Sequence, residues 1–151
     1  MGGGKGKSRG ATTRSAASKL PTLSSREDLD RAIRNARANA RANHHNANQG
    51  SGSSGSLVVL KFTATWCGVC RKIAPFYEGL ARDPKVTETS NVVALYNVDV
   101  DEAHDLTNSY GASALPLFVF LVDGKKVDTL VGAQQTALKK KILKHVSSCK
   151  R

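Results

Sequence analysis

What the chain has little of narrows it first. No apolar run approaches the roughly 20 residues that cross a bilayer as a helix, so no membrane span is expected. The opening stretch, MGGGKGKSRGATTRSAASK, lacks the apolar core of a secretory signal. No acid precedes Glu27 and no aromatic residue precedes Phe62. The first absence concentrates charge: residues 1–50 carry a net +7 of the chain's +11. The second leaves that basic segment without rings on which single-stranded bases could stack. Cysteine is scarce as well. Cys67, Cys70 and Cys149 are too few for a disulfide framework, which fits a reducing compartment and a cytoplasmic location.

The basic segment divides. Residues 1–19, poor in large apolar side chains, read as a disordered extension. A solvated tail is the plain reading; contact with nucleic acid or an acidic membrane is the alternative. Its composition overlaps with organelle transit peptides. Gly2 meets the first requirement of N-myristoylation, although Gly6 stands where Ser or Thr is usual. A myristoyl chain with Lys5, Lys7, Arg9 and Arg14 would make a two-signal membrane anchor.

One domain is expected over residues 20–147, with 148–151 as a tail. LPTLS, residues 20–24, reads as a short strand. Ser24 and Glu27 have capping-box spacing ahead of a helix whose thin stripe is Leu29, Ile33 and Ala36 or Ala40. The Ala/Arg/Asn repetition and the Ser/Gly run after it read as a low-complexity insertion over about 34–56, with 43–56 a flexible linker. LVVLKF is a strand buried on both faces. A helix starting at Cys67 follows, with Ile73, Phe76 and Leu80 inward and Pro75 as a kink. NVVALYNVDV is a strand, DEAHDLTNSYG a helix closed by Gly111, and PLFVFLV and KKVDTLVG two strands joined at Asp123-Gly124. The last helix turns Leu138, Ile142 and Val146 inward. Early alternation and a late hairpin imply an α/β fold, a mixed sheet with helices on both faces.

The chemistry is in KFTATWCGVCRKIAP, Lys61 to Pro75. A zinc site would need four ligands, and one C-x-x-C would have to recruit His104 and Cys149. His44 and His45 find no third ligand at a convincing spacing, so no metal is expected. Two inert core cysteines fit poorly. Cys67 follows a strand and opens a helix, where unpaired N–H groups and the dipole stabilise a thiolate. Cys70 lies one turn on, within reach of the same sulfur. Arg71 and Lys72 add positive charge. A reactive dithiol is favoured.

FTATWCGVCRKIAPFYEGLA, NVDVDE, ASALPLFVFLVDGK and VGA, in that order, resemble the thioredoxin family, especially its eukaryotic cytosolic and plant h-type members. The match runs from about Leu57 to Val146, and more loosely over residues 20–42. The resemblance implies the thioredoxin fold, with a cis proline at Pro116, after Leu115, facing the dithiol. It implies that Trp66, Gly68, Leu115, Pro116 and Gly132 surround the active site and peptide groove. It implies a protein-disulfide reductase: the Cys67 thiolate attacks a target disulfide, and Cys70 resolves the mixed disulfide. No bound cofactor is implied; NADPH and flavin belong to the thioredoxin reductase that would restore the dithiol. Partners are then that reductase and disulfide-containing target proteins.

Two departures bear on the site. Val69 stands where most thioredoxins carry proline, restoring an N–H donor near the sulfurs. Lys61 stands where they bury an aspartate, and Leu95 where a lysine partner of that aspartate is common. Lys61 either snorkels to water or favours the Cys70 thiolate and makes the disulfide more oxidising. The alternatives to a reductase are therefore a disulfide oxidase or isomerase of the same fold, and a binding module using the Pro116 groove. Cys149, in SSCKR, is expected as an exposed thiol, open to intermolecular pairing or palmitoylation.

Overall fold

A computed structural model of the chain describes residues 20–46, 55–87 and 92–149. The basic extension over 1–19 with Gly2, positions 47–54 of the linker and 150–151 of the tail lie outside the described residues. The elements are β1 (Thr22–Leu23), α1 (Arg26–Asn46), β2 (Ser56–Thr63), α2 (Gly68–Leu80), α3 (Pro84–Thr87), β3 (Val92–Asp99), α4 (His104–Tyr110), β4 (Leu117–Val122), β5 (Lys125–Val131) and α5 (Gln135–Ser148). The sheet order is β1-β3-β2-β4-β5. Strands β1 and β2 run parallel to β3; β4 is antiparallel to β2, and β5 to β4. This is the mixed sheet expected from the alternation of elements.

Strand periodicity divides the core. Val58, Leu60 and Phe62 pack with Leu29, Ala32 and Ala36 of α1 and Leu106 of α4. Leu57 and Val59 pack on the other face with Ile73, Tyr77 and Leu80 of α2 and Leu138 and Ile142 of α5. Lys61 falls in the second register and is directed toward α2. The inward position near the end of α2 belongs to Tyr77 rather than Phe76, which is only partly buried. Tyr77 Oη lies 3.1 Å from the Val59 carbonyl and 2.9 Å from that of Tyr96, bridging β2 and β3.

Positions 34–46 of the low-complexity stretch continue α1, so positions 43–46 of the expected linker are helical. The reason is spacing: Leu29, Ala32, Ala36 and Ala40 are all buried and recur every three or four residues. Small side chains let the helix lie close to the sheet. The capping box is also shifted by one. Ser25 Oγ accepts from the Asp28 N–H at 3.1 Å, and the Asp28 carboxylate accepts from the Ser24 N–H at 2.9 Å. Helix α3 was not expected, although Asp83-Pro84 is a cap followed by a first-turn proline. At the hairpin, Asp123 (φ 50°) and Gly124 (φ 88°) both adopt the left-handed region that a tight turn requires. A Cβ at Gly124 would also stand 3.0 Å from the Ile33 side chain.

Cys149 overturns the expectation of an exposed thiol, and the tail begins later than position 148. Ser148 ends α5, and Cys149 caps it and is buried in the α5 side of the core. Its Cβ would meet any side chain placed at Gly55, at 2.8 Å. Cys149 therefore lies at the start of β2, whereas Cys67 lies beyond its end, about 25 Å of strand away.

Helix α5 is fastened to β5 by Asp128, which accepts from Lys141 Nζ at 2.9 Å and lies 2.9 Å from His145 Nε2. Burial raises the Asp128 pKa, but the bonds from His145, Lys141 and the Thr129 N–H outweigh it and leave it at about 2. A folded-state pKa below the unfolded value contributes stability above about pH 4 that is lost as pH falls through about 2. Asp128→Asn should cost about 1–2 kcal/mol at pH 7, with the difference from wild type vanishing near pH 2. Urea unfolding at a series of pH values checks this; a pH-independent difference would refute it.

Candidate active site

The chain leaves β2 at Thr63 and turns over Ala64, Thr65 and Trp66 before entering α2. The Cys67 N–H bonds to the Ala64 carbonyl at 3.1 Å, and Arg71 reaches back to the Thr65 carbonyl at 2.6 Å. The turn is thus held from both ends. Cys67 is the N-cap of α2, with extended backbone, and its sulfur accepts from the Cys70 N–H at 3.2 Å. That is the place where a cysteine sulfur meets unpaired helix N–H groups and the positive end of the dipole. Cys67 and Cys70 form a disulfide, with Cα atoms 5.3 Å apart. Cys67 is 8% exposed and Cys70 fully buried, so an attacking group can approach the pair only through Cys67.

Leu115 and Val100 pack against the cluster of Ala64, Cys67 and Cys70. The Leu115–Pro116 bond is cis, as the resemblance implied. The Pro116 carbonyl accepts from the Gly132 N–H at 2.8 Å, and Gly132 has φ 99°, a value that favours glycine. Sequence positions 67–70, 115–116 and 132 are therefore linked through one continuous set of contacts and bonds. Trp66 is turned outward, 67% exposed, and Val69 is 50% exposed. Gly68 has ample room: a Cβ there would meet only the Arg71 guanidinium, at 3.9 Å.

Lys61 does not snorkel to water. It is 3% exposed, its Nζ reaches the Cys70 carbonyl at 3.5 Å, and it lies 5.6 Å from the centre of the Tyr77 ring. Burial lowers its pKa from the ordinary lysine value, and the Glu78 charge partly opposes this. Leu95 is buried in the same half of the core.

Sequence reasoning missed two supports. Asp101 accepts the Trp66 indole N–H at 2.8 Å. The signal was available in the parallel pairing: Thr63 is in register with Asp99, so the residues after each strand end are neighbours. Tyr77, beneath Lys61, was hidden by the choice of Phe76. The metal readings find no support in the arrangement. His104 bonds the Asp101 carbonyl at 2.9 Å, Cys149 is at the far end of β2, and the side chains of His44 and His45 lie outside the described residues. Among the described residues no group of three or more His, Cys, Asp or Glu is placed to hold a metal.

Cys67 and Cys149 should differ sharply in reactivity. Burial, with the Asp123 charge adding, pushes Cys149 up to about 11. A thiol with that pKa is ionised to roughly one part in ten thousand at pH 7. In the reduced protein at pH 7, iodoacetamide should label Cys67, with Cys149 labelled only after denaturant is added. Peptide mapping that finds Cys149 labelled at a comparable rate would refute the assignment.

The comparisons with known proteins follow this geometry. The thioredoxin family model matches residues 39–144. Tobacco (Nicotiana tabacum) thioredoxin H-type 2 is 44% identical over 93 residues, which are 61% of this chain and 73% of that protein. The TPR repeat-containing thioredoxin TDX of Arabidopsis thaliana is 48% identical over 92 residues, but the chain spans only 23% of its length. Among solved structures, Fasciola hepatica thioredoxin superposes with a TM-score of 0.65 at 34% identity, covering 83% of this chain and 99% of that one. A poplar thioredoxin h mutant gives 0.67 at 30% identity, covering 87% and 86%.

Proposed function

The chain belongs to the thioredoxin family and is a thiol–disulfide oxidoreductase of the protein-disulfide reductase kind; we propose that Cys67 is its attacking thiolate and Cys70 its resolving thiol. The observation that carries this is the asymmetry of the pair. Cys67 sits at the helix N-cap, where its sulfur accepts the Cys70 N–H, and it is the more accessible of the two. The thiolate opens the target disulfide by forming a bond to one of its sulfurs, and the other sulfur leaves as a thiolate. Cys70 then attacks Cys67, the second target thiolate leaves, and the pair is left as the disulfide.

The surroundings are proposed to seat the target. Trp66, Val69 and Val131 are three of the four exposed large hydrophobic side chains among the described residues. Val131 pairs with Leu117, beside cis Pro116. Gathered near one buried disulfide, they make an apolar rim suited to a polypeptide rather than to a small ion. The bare surface at Gly68 allows a target's main chain to come close to Cys67. Gly68 and Val69 also supply first-turn N–H groups to the charge that forms there. The partners are proposed to be disulfide-containing proteins and a thioredoxin reductase that carries the NADPH and flavin chemistry. The working compartment is proposed to be the cytoplasm, in keeping with the few cysteines. Among the described residues no helix is long and apolar enough to cross a membrane.

Insulin reduction with dithiothreitol tests the roles. Wild type should accelerate precipitation of the B chain, and Cys67→Ser should abolish the acceleration. Cys70→Ser should accumulate a mixed disulfide with the target, resolvable on a non-reducing gel. An adduct formed by Cys67→Ser and absent from Cys70→Ser would reverse the assignment.

A further inference from the structure

Lys61 is a charged group in the core that the exchange reaction as written does not use. Three observations place it. It is 3% exposed, its Nζ approaches the Cys70 carbonyl at 3.5 Å, and the Tyr77 ring lies beneath it at 5.6 Å. The bond to the carbonyl is long, so the ammonium is poorly served compared with water. The positive end of α2 is close by, which further disfavours a permanent cation there. Covalent geometry keeps a cysteine sulfur within about 5 Å of its own carbonyl oxygen, so the Lys61 amine lies within about 8–9 Å of the Cys70 sulfur, a span that one bridging water shortens, and both residues are buried.

We propose that Lys61 is the proton acceptor for Cys70: its neutral amine takes the Cys70 thiol proton, directly or through one water, and the resulting ammonium holds the Cys70 thiolate ready to resolve the mixed disulfide. This rests on Cys70 being the resolving thiol. The balance is complete within the chain and its target. Cys70–SH and Lys61–NH2 become Cys70–S⁻ and Lys61–NH3⁺. The Cys70 thiolate then forms its bond to Cys67, and the bond from Cys67 to the target sulfur breaks. The ammonium, no longer facing a thiolate, gives its proton to solvent or to the departing target thiolate. A cation that stabilises the thiolate stabilises the reduced pair and makes the disulfide more oxidising.

The groups packed around Lys61 are consistent with that role. From α2 come Tyr77, whose burial raises its phenol well above the ordinary value and keeps it neutral, and Glu78, whose charge favours the ammonium. From the neighbouring strands come Asn97 and Phe118, the register partners of Lys61, neither of which titrates. The cysteine pair is thus the titratable neighbour that changes with redox state.

The test is redox-dependent titration of the full chain. With Lys61 assigned, its side-chain NMR signals should titrate at higher pH in the reduced protein than in the oxidised one. The same midpoint in both states would overturn the proposal, without recourse to any variant. Lys61→Met, and Lys61→Gln as a second neutral replacement, should shift the equilibrium with dithiothreitol at pH 7 about tenfold toward the disulfide, about 30 mV more negative. In a Cys67→Ser background the same changes should move thiolate absorbance at 240 nm from Cys70 to higher pH. Folded variants with an unmoved potential and an unmoved thiolate titration would refute it. Insulin reduction by wild type reports separately on the reductase reading, so its failure is distinguishable from the failure of Lys61 as acceptor.

Discussion

Strand β2 has a partner on each edge and helices over each face, and the site depends on that confinement. All but the last of its eight residues are buried. Each large aliphatic or aromatic side chain so placed contributes about 1.5–3 kcal/mol. A slip of one residue would exchange the two faces, sending Phe62 toward α2 and Lys61 toward α1. The register is therefore fixed, and with it the point at which the chain leaves the sheet. The turn from Ala64 to Trp66 begins from that point and is closed by the Cys67 N–H and the Arg71 guanidinium. Cys67 is delivered to the first turn of α2 as a consequence. The helix itself is held down from the far end, where Tyr77 Oη meets carbonyls of both β2 and β3. The dithiol sits on a helix whose position two strands define.

Much of this was legible because the signals were local or came in pairs. Apolar β-branched runs gave β2, β3 and β4, and Asp123-Gly124 placed the hairpin. C-x-x-C after a strand placed the sulfurs at a helix start, and the resemblance anticipated the cis bond before Pro116. What was misread depended on what lies opposite in space. The Ala/Arg/Asn repeat looks uninformative until the fold supplies a surface that buries Ala32, Ala36 and Ala40. Ser24 and Ser25 are equivalent cap candidates in the sequence; Asp28, reaching back to Ser24, decides between them. Phe76 and Tyr77 are adjacent aromatics. The inward one is the residue whose hydroxyl finds two strand carbonyls. Cys149 near the end of the chain suggested exposure, but Gly55 leaves a space beside β2 that its side chain fills.

Lys61 could be placed by the sequence but its state could not, since a lysine flanked by strand residues is compatible with either snorkelling or burial. The structure resolves this through neighbours that each compensate only part of the cost. The Tyr77 ring offers its face, a contact worth on the order of 0.5–2 kcal/mol. The Cys70 carbonyl offers one long bond, and Glu78 a charge of the right sign. Against these stand desolvation and the positive end of α2. A permanent cation here would be poorly compensated, whereas a permanent neutral amine would waste the arrangement of acceptors. The balance points to a group that gains its charge when a thiolate appears beside it. Positive influences then converge on the pair. The end of α2 and the Arg71 guanidinium, held at the Thr65 carbonyl, lie on the Cys67 side, and Lys61 approaches Cys70 through its carbonyl. Fold stability would be better served by an apolar side chain at position 61. The lysine makes sense as a cost carried by the core for the chemistry of Cys70.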